Sequence, residues 1–150
     1  DRKLIRQMEE VSGVPCITTT TAVIAALEEL KVKKVAVSTP YCDEVNEIEK
    51  KFLEDSGYEV TEIRGLGITD TCRIPKVNVD EIYHITRSLD HEKADTIFIS
   101  CTGLCFLKDV PLIEKDMGKQ TITSVQATLW YALKRIGITD DLGLGQLFKK

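Results

Sequence analysis

Short β-branched runs alternate with longer amphipathic stretches along nearly the whole chain of 150 residues. The short runs have the length and the Val, Ile and Thr content of buried strands, while the longer ones repeat apolar residues at helical spacing. No repeat, linker or low-complexity segment interrupts the alternation. The pattern predicts an α/β fold with a parallel, doubly wound sheet and helices on both faces. The five predicted strands are PCIT (15–18), KKVAVST (33–39), YEVTEI (58–63), DTIFIS (95–100) and QTITS (120–124).

Residues that cap or interrupt helices mark the ends of the predicted helices. Thr19 or Thr20 is the predicted N-cap of the second helix, and Asn78 is expected to cap a later one. Gly65 and Gly67 are assigned to a loop that follows the third strand. The predicted helices lie near 1–12, 21–30, 43–56, 80–89, 108–117 and 125–136, and three of them stop at Gly13, Gly57 and Gly118.

Composition and charge exclude several classes of partner. The chain has 20 lysines and arginines against 24 aspartates and glutamates, and the two signs are interspersed, so no nucleic-acid-binding patch is predicted. No apolar run approaches the roughly 20 residues that cross a bilayer. The five cysteines form no CxxC pair and have no histidine nearby, which argues against structural zinc and a disulfide framework. We therefore expect a cytoplasmic protein with free thiols and a small-molecule partner.

Hydroxyl side chains follow most of the predicted strands. In a doubly wound sheet, ligands bind beyond the carboxyl ends of the strands, where helices begin with unpaired backbone N–H groups. Serine and threonine are also common helix caps, so a single such junction carries little information. Together they favour a carboxylate site, with Thr39 among its candidate contacts. The segments concerned are TTTT (18–21), STPY (38–41), SCTG (100–103) and TS (123–124).

Cys101 ends the most apolar predicted strand and precedes a loop of small residues. Backbone N–H groups in such a loop favour a thiolate, which could remove or return a proton. The alternative is a buried cysteine that behaves as a small hydrophobic residue. Tyr41 follows Pro40 at another strand end, where its hydroxyl could bond a substrate oxygen or simply lie at the edge of the core with its tip in water.

Four segments, taken in order, carry a family resemblance: GVPCITTTTAVIAALEELKVKKVAVSTPYCDEVNE, LGITDT, ISCTGL and ITSVQATLWYALKRIG. Together they resemble the aspartate/glutamate racemase superfamily, in the branch of arylmalonate decarboxylase and maleate cis-trans isomerase. The resemblance implies two α/β lobes facing a cleft, and chemistry without metal or organic cofactor. It also implies that Cys101 is the catalytic cysteine of the second lobe, that Tyr41 binds a substrate carboxylate, and that Thr102 and Gly103 supply loop amides beside it.

Members of this family are substantially longer, and their first catalytic loop precedes the segment matching SGVPC. We therefore expect residues 1–150 to be the C-terminal part of such an enzyme, with about 30–118 forming the second lobe and the flanks belonging to the first. Each lobe supplies one wall of the catalytic cleft. Because these 150 residues would supply only one of the two walls, we predict that they are inactive on their own. Without the first lobe, the apolar face of the last helix would be partly exposed; this face carries Leu129, Trp130 and Leu133. We therefore expect the helix to pack elsewhere on the chain or to drive formation of a homo-oligomer.

Three enzymatic reactions and one binding role are consistent with these residues. The first hypothesis is a cofactor-independent isomerase of the maleate type acting on a small carboxylate or dicarboxylate. Decarboxylation of the arylmalonate type and amino-acid racemisation are the alternatives within the superfamily. A different class is a non-catalytic α/β module that binds a carboxylate and in which Cys101 is inert. SCTG differs from the SCGG typical of the decarboxylase, so the substrate stays open.

Overall fold

The computed structural model describes residues 1–150 and contains four strands and six α-helices. All neighbouring strands are parallel. The strands are β1 (Lys34–Tyr41), β2 (Glu59–Ile68), β3 (Thr96–Ile99) and β4 (Gln120–Thr123). The helices are α1 (Arg2–Ser12), α2 (Thr19–Glu29), α3 (Asp43–Asp55), α4 (Val79–Arg87), α5 (Val110–Met117) and α6 (Ser124–Arg135), with 3-10 turns at Thr71–Lys76, Leu107–Asp109 and Gln146–Lys149.

The strand order across the sheet is β2-β1-β3-β4. The chain first moves outward from β1 to β2 and then crosses back to the other side of β1 to form β3 and β4. The two inner strands therefore flank the point where the direction of winding reverses, and ligands bind at such a point in open parallel sheets. β3 lies between β1 and β4, and all four of its residues are buried, in keeping with the apolar character of this run.

Helices cover both faces of the sheet, as predicted. On one face, Val37, Phe98 and Ile122 pack with Leu27 of α2 and Trp130 of α6. On the other face, Ile97 and Ile99 pack with residues of α4 and α5, including Ile82 and Ile113. The alternating faces of β3 thus supply apolar side chains to both cores. None of the six helices combines the length and the apolar character needed to span a bilayer.

Several helix ends lie where the capping residues predicted them. Gly13 and Gly118 end α1 and α5 with φ values of 69° and 62°, which glycine adopts without the steric cost other residues meet. Asn78 begins α4 with a capping box, because its side chain accepts from the Glu81 amide while the Glu81 side chain accepts from the Asn78 amide. The cap of α2 is Thr18, whose hydroxyl accepts from the Thr21 amide at 3.2 Å; the prediction of Thr19 or Thr20 was one or two residues late.

The predicted first strand, PCIT at 15–18, is not a strand in this structure. A strand needs a neighbour that pairs with its backbone, and none of the four strands pairs with these residues. The Cys16 amide instead donates to the Glu9 side chain of α1 at 3.0 Å. The sheet consequently has four strands rather than five.

Gly65 and Gly67 belong to β2 rather than to a loop. The pairing with β1 continues through Thr39 opposite Gly65 and Tyr41 opposite Ile68, with an irregularity between them. Glycine is normally poor in a strand, but it permits close approach of a neighbouring backbone and bulged pairing. The extension of β2 carries its ordered backbone to the same edge as Tyr41.

The assignment of about 30–118 to one lobe and of the flanks to another stays a prediction. In this structure β4 lies beyond that range and completes the sheet. The flanking helices α2 and α6 pack against each other and against the same sheet. Leu147 and Phe148 of the last turn are buried in that core as well, so the C-terminal segment has its own packing here.

Candidate active site

Tyr41 and Cys101 stand together at the carboxyl ends of the two inner strands. Tyr41 is the last residue of β1, and Cys101 follows β3 by two residues. Both side chains are partly buried and pack against the same apolar cluster. The fold therefore brings the two principal predicted site residues to the reversal point of the sheet, which is the expected ligand position.

Cys101 has an unusual backbone conformation. Its φ is 106°, in a region that residues with a Cβ rarely adopt and that costs on the order of 1–3 kcal/mol. Two contacts hold the residue there: its amide donates to the Ser124 hydroxyl at 3.0 Å, and the Ser100 amide donates to the Ser38 carbonyl oxygen at 2.9 Å. The surrounding structure thus imposes a conformation that a merely space-filling cysteine would not require.

The sulfur of Cys101 faces a backbone donor. The Gly103 amide donates to Sγ at 3.3 Å, so the sulfur accepts a hydrogen bond from the loop that follows it. A side chain at position 103 would lie 3.0 Å from the Ile74 side chain and 3.5 Å from Sγ. Because glycine has no Cβ, the amide of residue 103 can approach the sulfur without crowding it or the Ile74 side chain.

The Tyr41 phenol is kept neutral by its surroundings. Burial is the largest cause and raises the pKa of Tyr41 above its usual range, and interaction with the Cys101 thiol raises it further. The nearby Glu49 carboxyl acts in the same direction, while a hydrogen bond with Ser100 opposes it. Because the neutral form persists at all ordinary pH values, Tyr41 can donate a hydrogen bond to an oxyanion or to sulfur.

Thr39 does not present its hydroxyl to a ligand. The side chain is fully buried; its hydroxyl donates to Asn46 Oδ1 at 2.6 Å and accepts from the Tyr41 amide at 3.0 Å. Direct substrate contact by Thr39, expected from the sequence, is therefore not supported by this geometry. The residue instead ties the end of β1 to α3 and fixes the backbone of Tyr41.

The remaining predicted contacts, Thr102 and Gly103, lie in the loop after Cys101 and differ in exposure. Thr102 is exposed and Gly103 is half-buried, and the Gly103 amide is directed at the sulfur. Cys105, four residues beyond Cys101, is exposed, and Cys42 at the start of α3 is half-buried. Cys101 is the cysteine that combines a strand end, a strained backbone and a donor on its sulfur.

A cleft of about 390 Å³ opens at this edge, between α3 and the first residues of α2 and α6. Helix N-termini at its rim favour an anion.

A larger cavity, about 570 Å³, lies between α5 and the C-terminal turn and contacts none of the predicted site residues. No cluster of three His, Cys, Asp or Glu side chains is arranged to hold a metal ion. The hydroxyls lining the cleft belong to Thr19, Thr20, Tyr41, Ser100 and Ser124.

Sequence reasoning missed two residues at this edge. Asn46 is buried and accepts from the Thr39 hydroxyl, and Glu49 lines the cleft one helical turn further along α3. Both lie in a helix rich in charged residues, where polar side chains normally face solvent. Glu49 is four residues from Val45 and three from Phe52, and Asn46 is seven residues before the buried Leu53. These helical spacings are the signal in the sequence that places each polar residue beside apolar ones.

Comparisons with known proteins agree with this description. The family model for arylmalonate decarboxylase matches residues 1–148. Arylmalonate decarboxylase of Bordetella bronchiseptica is 34% identical over 145 residues, covering 94% of this chain and 60% of that protein. Maleate isomerase of Pseudomonas putida is 28% identical over 125 residues, covering 83% of this chain and 50% of that protein. The crystal structure of the maleate isomerase Iso from Pseudomonas putida S16 with maleate superposes with a TM-score of 0.90 at 26% identity, over 98% of this chain and 60% of that one. The chain thus spans half to three-fifths of the length of these relatives.

Proposed function

Because the chain belongs to the arylmalonate decarboxylase family, we propose that it forms the Cys101-bearing wall of an enzyme acting on a small dicarboxylate without a cofactor. Maleate-type cis-trans isomerisation is the first candidate reaction. The observation that carries the proposal is the strained Cys101, whose sulfur accepts from the Gly103 amide at 3.3 Å and which packs against the same apolar cluster as Tyr41. This arrangement suits a thiol that gives and regains a proton.

Each residue at the edge takes a defined role in this proposal. The neutral Tyr41 phenol donates to a substrate carboxylate, and the Thr102 backbone amide, in the exposed loop, adds a second donor. The Gly103 amide stabilises the sulfur when Cys101 has lost its proton. Thr39 and Asn46 position Tyr41 from below without touching substrate.

In isomerisation, a nucleophile adds to one alkene carbon of maleate while the S–H bond of Cys101 breaks and a C–H bond forms at the other carbon. The carbon–carbon bond is then single and rotates. The Cys101 thiolate takes the same proton back, the nucleophile leaves, and the product is fumarate. Cys101 thus acts as general acid and then as general base.

Decarboxylation is the second candidate, favoured by the family model and by the 34% identity to arylmalonate decarboxylase. There the carbon–carbon bond to one carboxylate breaks, carbon dioxide leaves, and the electron pair remains on the α-carbon as an enediolate. Cys101 delivers its proton to that carbon. This reaction needs a single thiol, which Cys101 supplies.

The two candidates give different products. The natural polypeptide that contains these 150 residues is incubated with maleate or with phenylmalonate and followed by proton NMR. Fumarate from maleate supports isomerisation, whereas phenylacetate from phenylmalonate supports decarboxylation. Binding of either compound without any product would overturn the enzymatic proposal in favour of a carboxylate-binding module.

Substitution of Tyr41 by phenylalanine tests its role. Loss of one hydrogen bond to a charged oxygen costs about 1.5–3 kcal/mol, so kcat/KM is expected to fall roughly ten- to a hundred-fold. Circular dichroism and thermal melting should show an unchanged fold, because the ring keeps its packing. If the melting temperature collapses while activity per folded molecule stays normal, Tyr41 is a packing residue.

We also propose that the protein works in the cytoplasm. All five cysteines, among them the exposed Cys72 and Cys105, are free. Exposed thiols persist in a reducing compartment and are prone to oxidation outside it.

A further inference from the structure

The Cys101 amide is held by a side chain from another part of the chain. Cys101 lies two residues beyond Ile99, the last residue of β3, and its amide donates to the Ser124 hydroxyl at 3.0 Å. The other two hydrogen bonds of Cys101 are longer: the sulfur accepts from the Gly103 amide at 3.3 Å, and the carbonyl oxygen accepts from the Leu104 amide at 3.4 Å. The Ser124 hydroxyl is therefore the closest hydrogen-bonding partner of the strained residue.

The Ser124 hydroxyl is not needed to cap α6. Serine at a helix start is most often the cap, but here Thr123 fills that position: its hydroxyl accepts from the Gln126 amide at 3.0 Å, and its own amide donates to Gln126 Oε1 at 3.2 Å. The Ser124 carbonyl oxygen accepts from the Thr128 hydroxyl at 2.7 Å, which fixes the first turn of the helix. The buried Ser124 side chain is thus held rigidly and directs its hydroxyl oxygen to Cys101.

The other principal site residue is held in the same way. The Tyr41 amide donates to the hydroxyl oxygen of Thr39 at 3.0 Å, and Thr39 is fully buried. A buried amide without an acceptor costs free energy, and in both places a hydroxyl oxygen rather than a main-chain carbonyl supplies the acceptor. The two inner strands therefore end alike, each with the backbone of its site residue fixed by a buried hydroxyl.

We propose that Ser124 is a positioning residue for Cys101. The hydrogen bond from the Cys101 amide to the Ser124 hydroxyl keeps the Cys101 backbone at a φ of 106° and thereby keeps the sulfur beside the Gly103 amide. A residue with a Cβ stays at such a φ only where the surrounding structure imposes it. Without this acceptor, Cys101 relaxes to a negative φ, the direction of its side chain changes, and the sulfur leaves its place.

The positioning role deepens the proposed function and rests on it for its effect on turnover. A reacting group that is misplaced by about 1 Å loses on the order of 10²-fold in rate. Ser124→Ala should therefore lower kcat of the natural polypeptide roughly 10- to 100-fold. KM should change little, because Tyr41 keeps its contacts and still binds the substrate carboxylate.

The backbone of Cys101 can be followed without turnover. In the Ser124→Ala protein, hydrogen exchange of the Cys101 amide, measured by NMR, should become roughly ten-fold faster because one hydrogen bond is lost, and the crystal structure should show Cys101 at a negative φ. Ser124→Thr keeps a hydroxyl and should retain both the slow exchange and the wild-type kcat. An unchanged exchange rate and an unchanged φ in Ser124→Ala would overturn the proposal, even in a protein that converts neither maleate nor phenylmalonate.

Thr96→Val is the matched control for a lost buried hydrogen bond. Thr96 lies at the other end of β3, is fully buried, and donates from its hydroxyl to the Gln120 carbonyl oxygen at 2.8 Å. Its substitution should lower the melting temperature about as much as Ser124→Ala does, but leave both kcat and exchange of the Cys101 amide unchanged. A comparable loss of kcat in Thr96→Val would mean that weakened packing of β3 against β4 lowers the rate. Wild-type kcat in any variant whose Cys101 amide exchanges faster would also overturn the positioning role.

Discussion

Substitution of Cys101 by serine is expected to lower kcat of the natural polypeptide roughly 10²- to 10⁴-fold, the contribution typical of a positioned general acid or base. A serine hydroxyl fits the same space, but it neither donates nor regains a proton at neutral pH as a thiol does. The Ser124 and Ser38 contacts that hold this backbone involve main-chain atoms of residues 100 and 101, so the fold should be retained. Steady-state kinetics and thermal melting measure the two effects.

Cys105→Ser is the control for this experiment. Cys105 is exposed and four residues further along the chain, and its loss should change neither the rate nor the melting temperature. Full activity in the Cys101→Ser protein would contradict the proton-transfer role. A comparable loss in both variants would mean that the loop, rather than one thiol, is required.

Substitution of Gly65 by alanine is expected to have the largest effect on stability. A Cβ at this position would lie 2.1 Å from the Tyr41 carbonyl oxygen and 2.6 Å from Asn46 Nδ2, distances at which backbone must move. Overpacking of this kind costs about 1–3 kcal/mol, occasionally more. Urea unfolding should show the loss, and activity should fall as well, because the displaced atoms position Tyr41.

Gly67→Ala, on the same strand, is the control that distinguishes a steric clash with the Tyr41 backbone from the cost of placing alanine at a positive φ. Gly67 has a φ of 68° and no atom within 4 Å of an added Cβ, so its substitution costs only the conformational term of about 1–2 kcal/mol. We expect Gly67→Ala to retain the Tyr41-dependent activity that Gly65→Ala loses. Equal activity in the two variants would show that the approach of β2 to Tyr41 does not matter for the site.

Local signals in the sequence predicted most of the fold. Helix ends at Gly13, Gly118 and Asn78 follow from the conformational freedom of glycine and the side-chain acceptor of asparagine, which act within one turn of the chain. The predictions were wrong where strand pairing, rather than local sequence, determines the secondary structure. Residues 15–18 have strand-like composition but no neighbouring strand, while Gly65 lies in β2 because β1 runs alongside it.

For the candidate site, too, the sequence predicts the positions that follow from strand ends but not those that depend on tertiary packing. Strand ends in a parallel sheet converge, so the sequence alone places Cys101 and Tyr41 at one edge. The inward direction of Thr39, the burial of Asn46 and the position of Glu49 depend on how α3 is rotated against β1. That rotation follows from packing of the whole core and has no short-range signature.

The donor on the Cys101 sulfur is a main-chain amide, and this has a consequence for how the site can vary among related proteins. Side chains at position 102 are exposed, and the amide of residue 103 is present whatever the neighbouring side chain is. Alanine scanning of the loop would therefore pass over a principal contact of the sulfur, and its contribution becomes measurable only when the peptide bond itself is changed, as by an ester replacing that amide. A contact made by the backbone in this way tolerates other side chains at position 102, as long as the path of the loop and the glycine at position 103 are kept.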